Sequence, residues 1–148
     1  MSDHFLTRIA TLSDLDAIIA LDEFRPDEEK PAYWQEIFNR YVMSDREDRI
    51  FLVAQVDAAV VGFIIGEVRA WEFGSPPCGW IFALAVSPQM REMSVGKRMF
   101  NEICDRWRKI GIKTVRTMTD RDNRLTLSFF RGMGLRSGRY IELEKQIV

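Results

Sequence analysis

The chain has 148 residues, of which 47% are hydrophobic and 29% charged, with a formal net charge of −1. That length fits one domain, 1–148, with a real core. The longest apolar run, Ala58 to Gly66, is too short to span a bilayer, so no membrane partner is expected. Asp3 and His4 stand where a secretory leader needs a basic start and an apolar run, which predicts a cytoplasmic location. One histidine and two cysteines, Cys78 and Cys104, give neither a disulfide framework nor a His/Cys ligand set, and no metal is expected.

The charge is unevenly divided. Residues 1–86 hold 7 Lys+Arg against 15 Asp+Glu, whereas residues 87–148 hold 14 against 7. An anionic ligand on the basic half is one reading; pairing between the halves, or solvated faces, is the other. Nucleic acid is not an expected partner, because the basic residues are spread over several elements without a helix-turn-helix signal.

Phe5 to Ile9 reads as a first strand. Ser13 with Asp16 reads as an N-cap and its capping-box acid, opening a helix striped by Leu15, Ile18, Ile19 and Asp22. Asp22 to Lys30 is an acidic loop, and Pro31 opens a second helix on which Trp34, Ile37, Phe38 and Tyr41 recur at helical spacing. Ile50 to Val56 and Val60 to Val68 read as a hairpin about Asp57-Ala58. Trp71 to Gly79 is a loop with Pro76-Pro77, and Cys78 reads as part of it. Trp80 to Val86 is an apolar strand expected to be buried on both faces.

From Ser94 to Ile110, apolar residues at Val95, Met99, Ile103, Trp107 and Ile110 form a helical stripe that ends before Gly111, with Cys104 beside it as core. Lys113 to Thr119 is a strand. Asp122 or Asn123 caps a short helix carrying Phe129-Phe130, and Tyr140 to Ile147 reads as a last strand. The order is β-α-α-β-β-β-α-β-α-β, an α/β (α+β) fold with a mixed sheet and helices on both faces.

The junction Leu84-Ala85-Val86-Ser87-Pro88 into Arg91-Glu92-Met93-Ser94-Val95-Gly96-Lys97 is the most informative stretch. A strand stops at a proline, turns through a basic loop and opens an amphipathic helix. That aims unpaired N–H groups and the charges of Arg91, Lys97 and Arg98 at one point, as a pyrophosphate requires. Gly96-Lys97 lacks the earlier glycine and following Ser/Thr of a Walker loop. A loop of this kind often needs one residue at positive φ, which serine adopts less easily than glycine.

Together with Asn123 to Leu135, this junction resembles the cofactor-binding core of the GNAT superfamily of acyl-CoA-dependent N-acyltransferases. Val86 and Pro88 match the family's Val-x-Pro. Arg91, Ser94 and Gly96 stand in its Arg/Gln-x-x-Gly-x-Gly/Ala loop, with Ser94 replacing the first glycine. The resemblance implies a mostly antiparallel central sheet and acetyl-CoA as cosubstrate. It implies that Leu84, Ala85 and Val86 pair with pantetheine, and that the loop Arg91, Glu92, Met93, Ser94, Val95, Gly96 and Lys97 holds the diphosphate. Asn123 and Phe130 would flank the thioester.

The activity implied is direct transfer of an acetyl group to a primary amine on a small molecule or peptide; the alternative is an acyl-CoA-binding regulatory module that has lost catalysis. Phe130 stands where many members have a tyrosine that protonates the thiolate. The strands Trp80–Val86 and Lys113–Thr119 carry no carboxylate. Glu67 and Asp120 are the remaining candidate bases at strand ends, with Glu72 on the adjoining loop and a water relay as another route. In the family, the loops holding Asp22, Glu23, Asp27, Glu28 and Glu29, and Trp71, Glu72 and Phe73, line the acceptor side; carboxylates and aromatics there favour a cationic amine. The other reading is that the acids form a solvated turn and the aromatics a homodimer contact.

Overall fold

The computed structural model describes residues 5–148. It folds as two compact units, one running through Met118 and the other Thr119–Val148. The first holds a five-stranded sheet in the spatial order β1 (Phe5–Ile9), β2 (Arg49–Val56), β3 (Ala59–Arg69), β4 (Cys78–Val86), β5 (Val115–Thr117). The first three pairings are antiparallel and β4–β5 is parallel, giving the mixed, mostly antiparallel sheet expected.

Alternation along β3 sorts side chains to two faces. Phe63 and Ile65 join Phe51 and Val53 of β2 under α1 (Leu15–Leu21) and α2 (Lys30–Tyr41), where Ile18, Trp34, Ile37 and Phe38 complete the core. Trp34 meets Phe63 edge to face with ring centroids 5.2 Å apart, and Phe38 meets Phe51 likewise at 5.1 Å. On the other face α3 (Val95–Lys109) buries Val95, Met99, Ile103 and Trp107, the stripe read from the sequence. Ile110 falls outside it, because α3 ends at Lys109 and Ile110 is exposed.

Gly66 of β3 and Gly79 of β4 lie beneath the Trp107 ring, where a Cβ would come within 2.5 Å and 2.2 Å of its carbons. The indole therefore occupies the space of two absent side chains.

Three local expectations are corrected. Thr11 and Asp14 form the capping box of a 3-10 turn, Leu12–Asp14, that runs into α1, in place of a cap by Ser13 and Asp16: the Thr11 N–H donates to Asp14 Oδ2 at 2.8 Å. Arg8 on β1 selects that register by placing Nη1 and Nη2 on the two Asp14 oxygens, each at 2.8 Å. Cys78 is a buried residue opening β4, not part of the preceding loop. Tyr140 to Ile147 is not a strand: its apolar residues Ile141, Leu143 and Ile147 are exposed, and alternation in sequence does not by itself build a ladder.

Candidate active site

β4 is the element around which the site is built. Its pairing with β3 runs to Val86↔Gly62, but its pairing with β5 stops at Ile81↔Thr117. The Thr117 hydroxyl donates to the Ile81 carbonyl oxygen at 2.8 Å and closes the parallel ladder there. Beyond that point, among the described residues, no strand of the sheet follows the second edge of Phe82–Val86. Register with β3 skips Phe82, so a bulge tilts β4 where the ladder ends. Leu84, Ala85 and Val86 are half-buried rather than buried on both faces as the sequence suggested. An open strand edge of this kind offers N–H and C=O groups to an extended ligand.

After Ser87 the chain makes a 3-10 segment, Pro88–Met93, and Ser94 then adopts φ 62° and ψ 23° before α3 begins. The left-handed conformation that such a loop calls for therefore falls on Ser94, without help from its hydroxyl, which caps nothing. The first intrahelical bond runs from the Arg98 N–H to the Ser94 carbonyl oxygen at 3.1 Å. Helix geometry thus leaves the N–H groups of Val95, Gly96 and Lys97 without an intrahelical acceptor. The Val95 side chain is buried in the core, so only its backbone serves the loop.

Arg91, Glu92, Met93 and Lys97 are exposed around this turn. Arg91 Nη2 lies 3.4 Å from Glu23 Oε2, a solvent-exposed ion pair that a stronger anion can displace. Arg98, expected to add charge here, instead stacks on Phe5 with Cζ 3.8 Å from the ring centroid. Replacing Ser94 with glycine relieves the left-handed strain and is expected to stabilise the protein by about 1 kcal/mol. A urea midpoint that rises at unchanged m-value checks this; an unchanged midpoint refutes it.

Glu67, on β3 opposite Trp80, is half-buried and its Oε1 accepts from the Tyr41 hydroxyl at 2.9 Å. Burial, with the bond to Glu67, pushes the Tyr41 phenol up to about 12, which keeps it a proton donor. Glu72 is exposed near Arg69, 3.9 Å away, in a loop where Trp71 and Phe73 both take positive φ and both project into solvent.

The acidic segment after α1 is not uniformly available. Asp22 is buried, accepting from the Phe24 N–H at 2.8 Å and from Arg25 Nη1 and Trp34 Nε1 at 2.9 Å each. Asp27 pairs with Lys30 at 3.0 Å. Glu23, Asp27, Glu28 and Glu29 are the exposed acids.

In the second unit, Asn123 Oδ1 caps α4 (Arg124–Gly132) by accepting from the Thr126 N–H at 3.2 Å. Phe130 is buried, with its ring edge to face with Phe129 at 5.2 Å. Asp120 is exposed and its Oδ1 accepts from the Asp122 N–H at 2.8 Å, shaping the turn before α4.

Among the described residues no cluster of His, Cys, Asp and Glu is arranged to hold a metal ion, and no helix is long and apolar enough to cross a membrane. The two cysteines are unpaired; burial pushes the Cys104 thiol up to about 11, away from the range of a reactive nucleophile.

The L-2,4-diaminobutyric acid acetyltransferase of Nocardia farcinica (strain IFM 10152) is 32% identical to this chain over 95 residues, covering 64% of it. The match spans about half of that relative, 47% of its length. Among solved structures, aminoglycoside 6'-N-acetyltransferase AAC(6')-Ih from Acinetobacter baumannii superposes with a TM-score of 0.78 at 15% identity, covering 97% of this chain and 99% of that one. The aminoglycoside N-acetyltransferase AAC(6')-Iy in complex with CoA gives 0.77 at 17% identity, with 97% and 95% covered. A transcriptional regulator from Bacillus halodurans C-125 gives 0.79 at 18% identity, with 97% and 100% covered. These likenesses establish a shared fold. The model of the acetyltransferase (GNAT) family matches residues 15–135, and the chain belongs to that family.

Proposed function

We propose that the protein transfers the acetyl group of acetyl-CoA to a primary amine of a small cationic acceptor by direct attack on the thioester. The observation that carries this reading is the opened second edge of β4 leading into the left-handed turn at Ser94. The backbone of Leu84, Ala85 and Val86 would pair with the pantetheine amides. The N–H groups of Val95, Gly96 and Lys97, with Arg91 and the Lys97 ammonium, would hold the diphosphate. Glu92 and Met93 flank that turn, and Asn123 and Phe130 are assigned to the thioester end on family resemblance.

An alkylammonium with a pKa near 10.4 is mostly protonated at neutral pH and cannot attack until it loses a proton. Glu67 is the best-placed base: it lies beside β4, and a hydrogen bond fixes it. Asp120 has no such fixation beyond its own turn. The ammonium first gives one proton to Glu67; the neutral amine nitrogen then forms the new bond to the acetyl carbon, the C–S bond breaks with its electron pair on sulfur, and the second N–H proton passes through solvent to the departing thiolate. A thiol of pKa about 8.5 leaves as a tolerable anion, so a phenylalanine at position 130 is compatible with turnover. The name of the diaminobutyrate relative and the exposed acids Glu23, Asp27, Glu28 and Glu29 support an acceptor with more than one amine.

Calorimetry with acetyl-CoA and a free-thiol assay across a panel of amines test the reading together. Arg91→Glu is expected to weaken acetyl-CoA binding by about 10-fold or more, since one charge-assisted hydrogen bond contributes about 1.5–3 kcal/mol. Wild-type affinity should fall with salt, and diamines should be acetylated faster than neutral or anionic amines. Failure of the wild type to bind acetyl-CoA overturns the cofactor assignment. Binding without thiol release for any amine favours the second reading, a non-catalytic acyl-CoA-binding module, which the buried Phe130 motivates.

A further inference from the structure

The last residue of α2 reaches two parts of the site at once. The Tyr41 hydroxyl donates to Glu67 Oε1 at 2.9 Å, and its ring packs on Phe82 with centroids 5.1 Å apart. Phe82 is the residue that the β3–β4 register skips, where β4 begins its unpaired edge. One side chain therefore ties the Glu67 carboxylate to the point at which the cofactor strand opens. The tie is braced from β2: Arg49, in register with Glu67, donates from Nη1 to the Arg40 carbonyl oxygen at 3.1 Å and sets Cζ 5.4 Å from the Tyr41 ring centroid. That guanidinium holds the final turn of α2 against the sheet, a placement the helix dipole favours.

We infer that Tyr41 is a positioning residue for Glu67, holding one carboxylate oxygen so that the other is aimed as the base for the incoming amine. The inference rests on the proposed role of Glu67. Two features distinguish it from simple satisfaction of a buried phenol. The bond uses Oε1 alone, and among the described residues no second donor meets Oε2, which stays available to a proton. Tyr41 also spans 26 residues of sequence to reach a carboxylate at the end of a strand, where a shorter aromatic would fill the same space beside Phe82.

A double-mutant cycle tests this on the whole chain, with kcat and KM for a diamine and calorimetric Kd for acetyl-CoA. Tyr41→Phe keeps the ring and removes only the hydroxyl, so the fold should be retained. It should lower kcat roughly 10-fold, the loss expected for one hydrogen bond to a charged group, and leave the acetyl-CoA Kd unchanged. Glu67→Gln should lower kcat on the order of 100-fold, as removal of a general base does. In the Glu67→Gln background Tyr41→Phe should have no further effect, because its route to the chemistry is gone. Full activity in Glu67→Gln retires Glu67 as the base. An impaired Glu67→Gln beside a wild-type Tyr41→Phe, or equal losses from Tyr41→Phe in both backgrounds, leaves Glu67 in place and overturns the role of Tyr41.

Discussion

Asp22→Ala is expected to destabilise the protein by about 2–4 kcal/mol, because it strands the buried Trp34 indole N–H and removes the other bonds to this carboxylate. The Asp22 carboxyl is buried at the C-terminal end of α1 and accepts from the Phe24 N–H, from Arg25 and from Trp34 Nε1. Trp34 is itself buried at the centre of the α1/α2 core, so its indole N–H cannot turn to water. Arg25 is partly exposed, stacks 3.6 Å above the Tyr33 ring, and would be rehydrated at small cost. Trp34→Phe removes the indole donor itself, with part of its buried ring, and leaves Asp22 Oδ2 on Arg25 and Oδ1 on the Phe24 N–H.

The same carboxyl sets a pH dependence. Burial raises the Asp22 carboxyl, but the bonds from Phe24, Trp34 and Arg25 outweigh burial and hold it below the ordinary carboxylate range. The Arg8 guanidinium does the same for Asp14, against a smaller effect of burial. Groups lowered in the folded state contribute stability that is complete above the unfolded value, about pH 4. That contribution is lost as pH falls through the lowered native values. Urea unfolding between about pH 5 and 2 should therefore show a steep loss in the wild type and a shallower one in Asp22→Asn. Parallel profiles would remove Asp22 from this account.

Trp107→Ala is expected to cost about 3–5 kcal/mol, the range for deleting a buried large aromatic. The ring is fully buried and fills the hollow left by Gly66 and Gly79. From the other side, Gly79→Ala drives a Cβ to 2.2 Å from a ring carbon that has nowhere to move, an overpacking cost of about 1–3 kcal/mol. The two sites share one contact, so Trp107→Ala with Gly79→Ala should be less destabilised than the sum of the singles. Additive losses, read from denaturant midpoints, would mean that the ring and the strand do not compete for this space. Gly79 pairs with Val115 in the short β4–β5 ladder, so damage here reaches the strand that carries the proposed cofactor edge.

The α3 stripe was legible because Val95, Met99, Ile103 and Trp107 repeat at helical spacing and bury one face. The Ser94 turn was legible as a need for positive φ near a basic loop, and the structure places that need on Ser94 itself. The start of the first helical segment was ambiguous because Thr11-x-x-Asp14 and Ser13-x-x-Asp16 carry the same signal in overlapping registers. Only Arg8, arriving from β1, separates them. The Tyr41–Glu67 bond had no local trace: helical spacing marks Tyr41 as core, and its partner comes from another element. Positive φ at Trp71 and Phe73 was equally invisible, since bulky residues avoid that region and only Gly74 signals a turn.

Cys78 is buried, and burial pushes the Cys104 thiol up to about 11, so little Cys104 thiolate is present in the folded protein at pH 8. Disulfide-exchange dyes react with thiolates. The folded protein is accordingly almost silent towards such a dye, and colour that develops during turnover reports coenzyme A set free in solution. Colour from enzyme alone then becomes a direct gauge of how much of a preparation has unfolded.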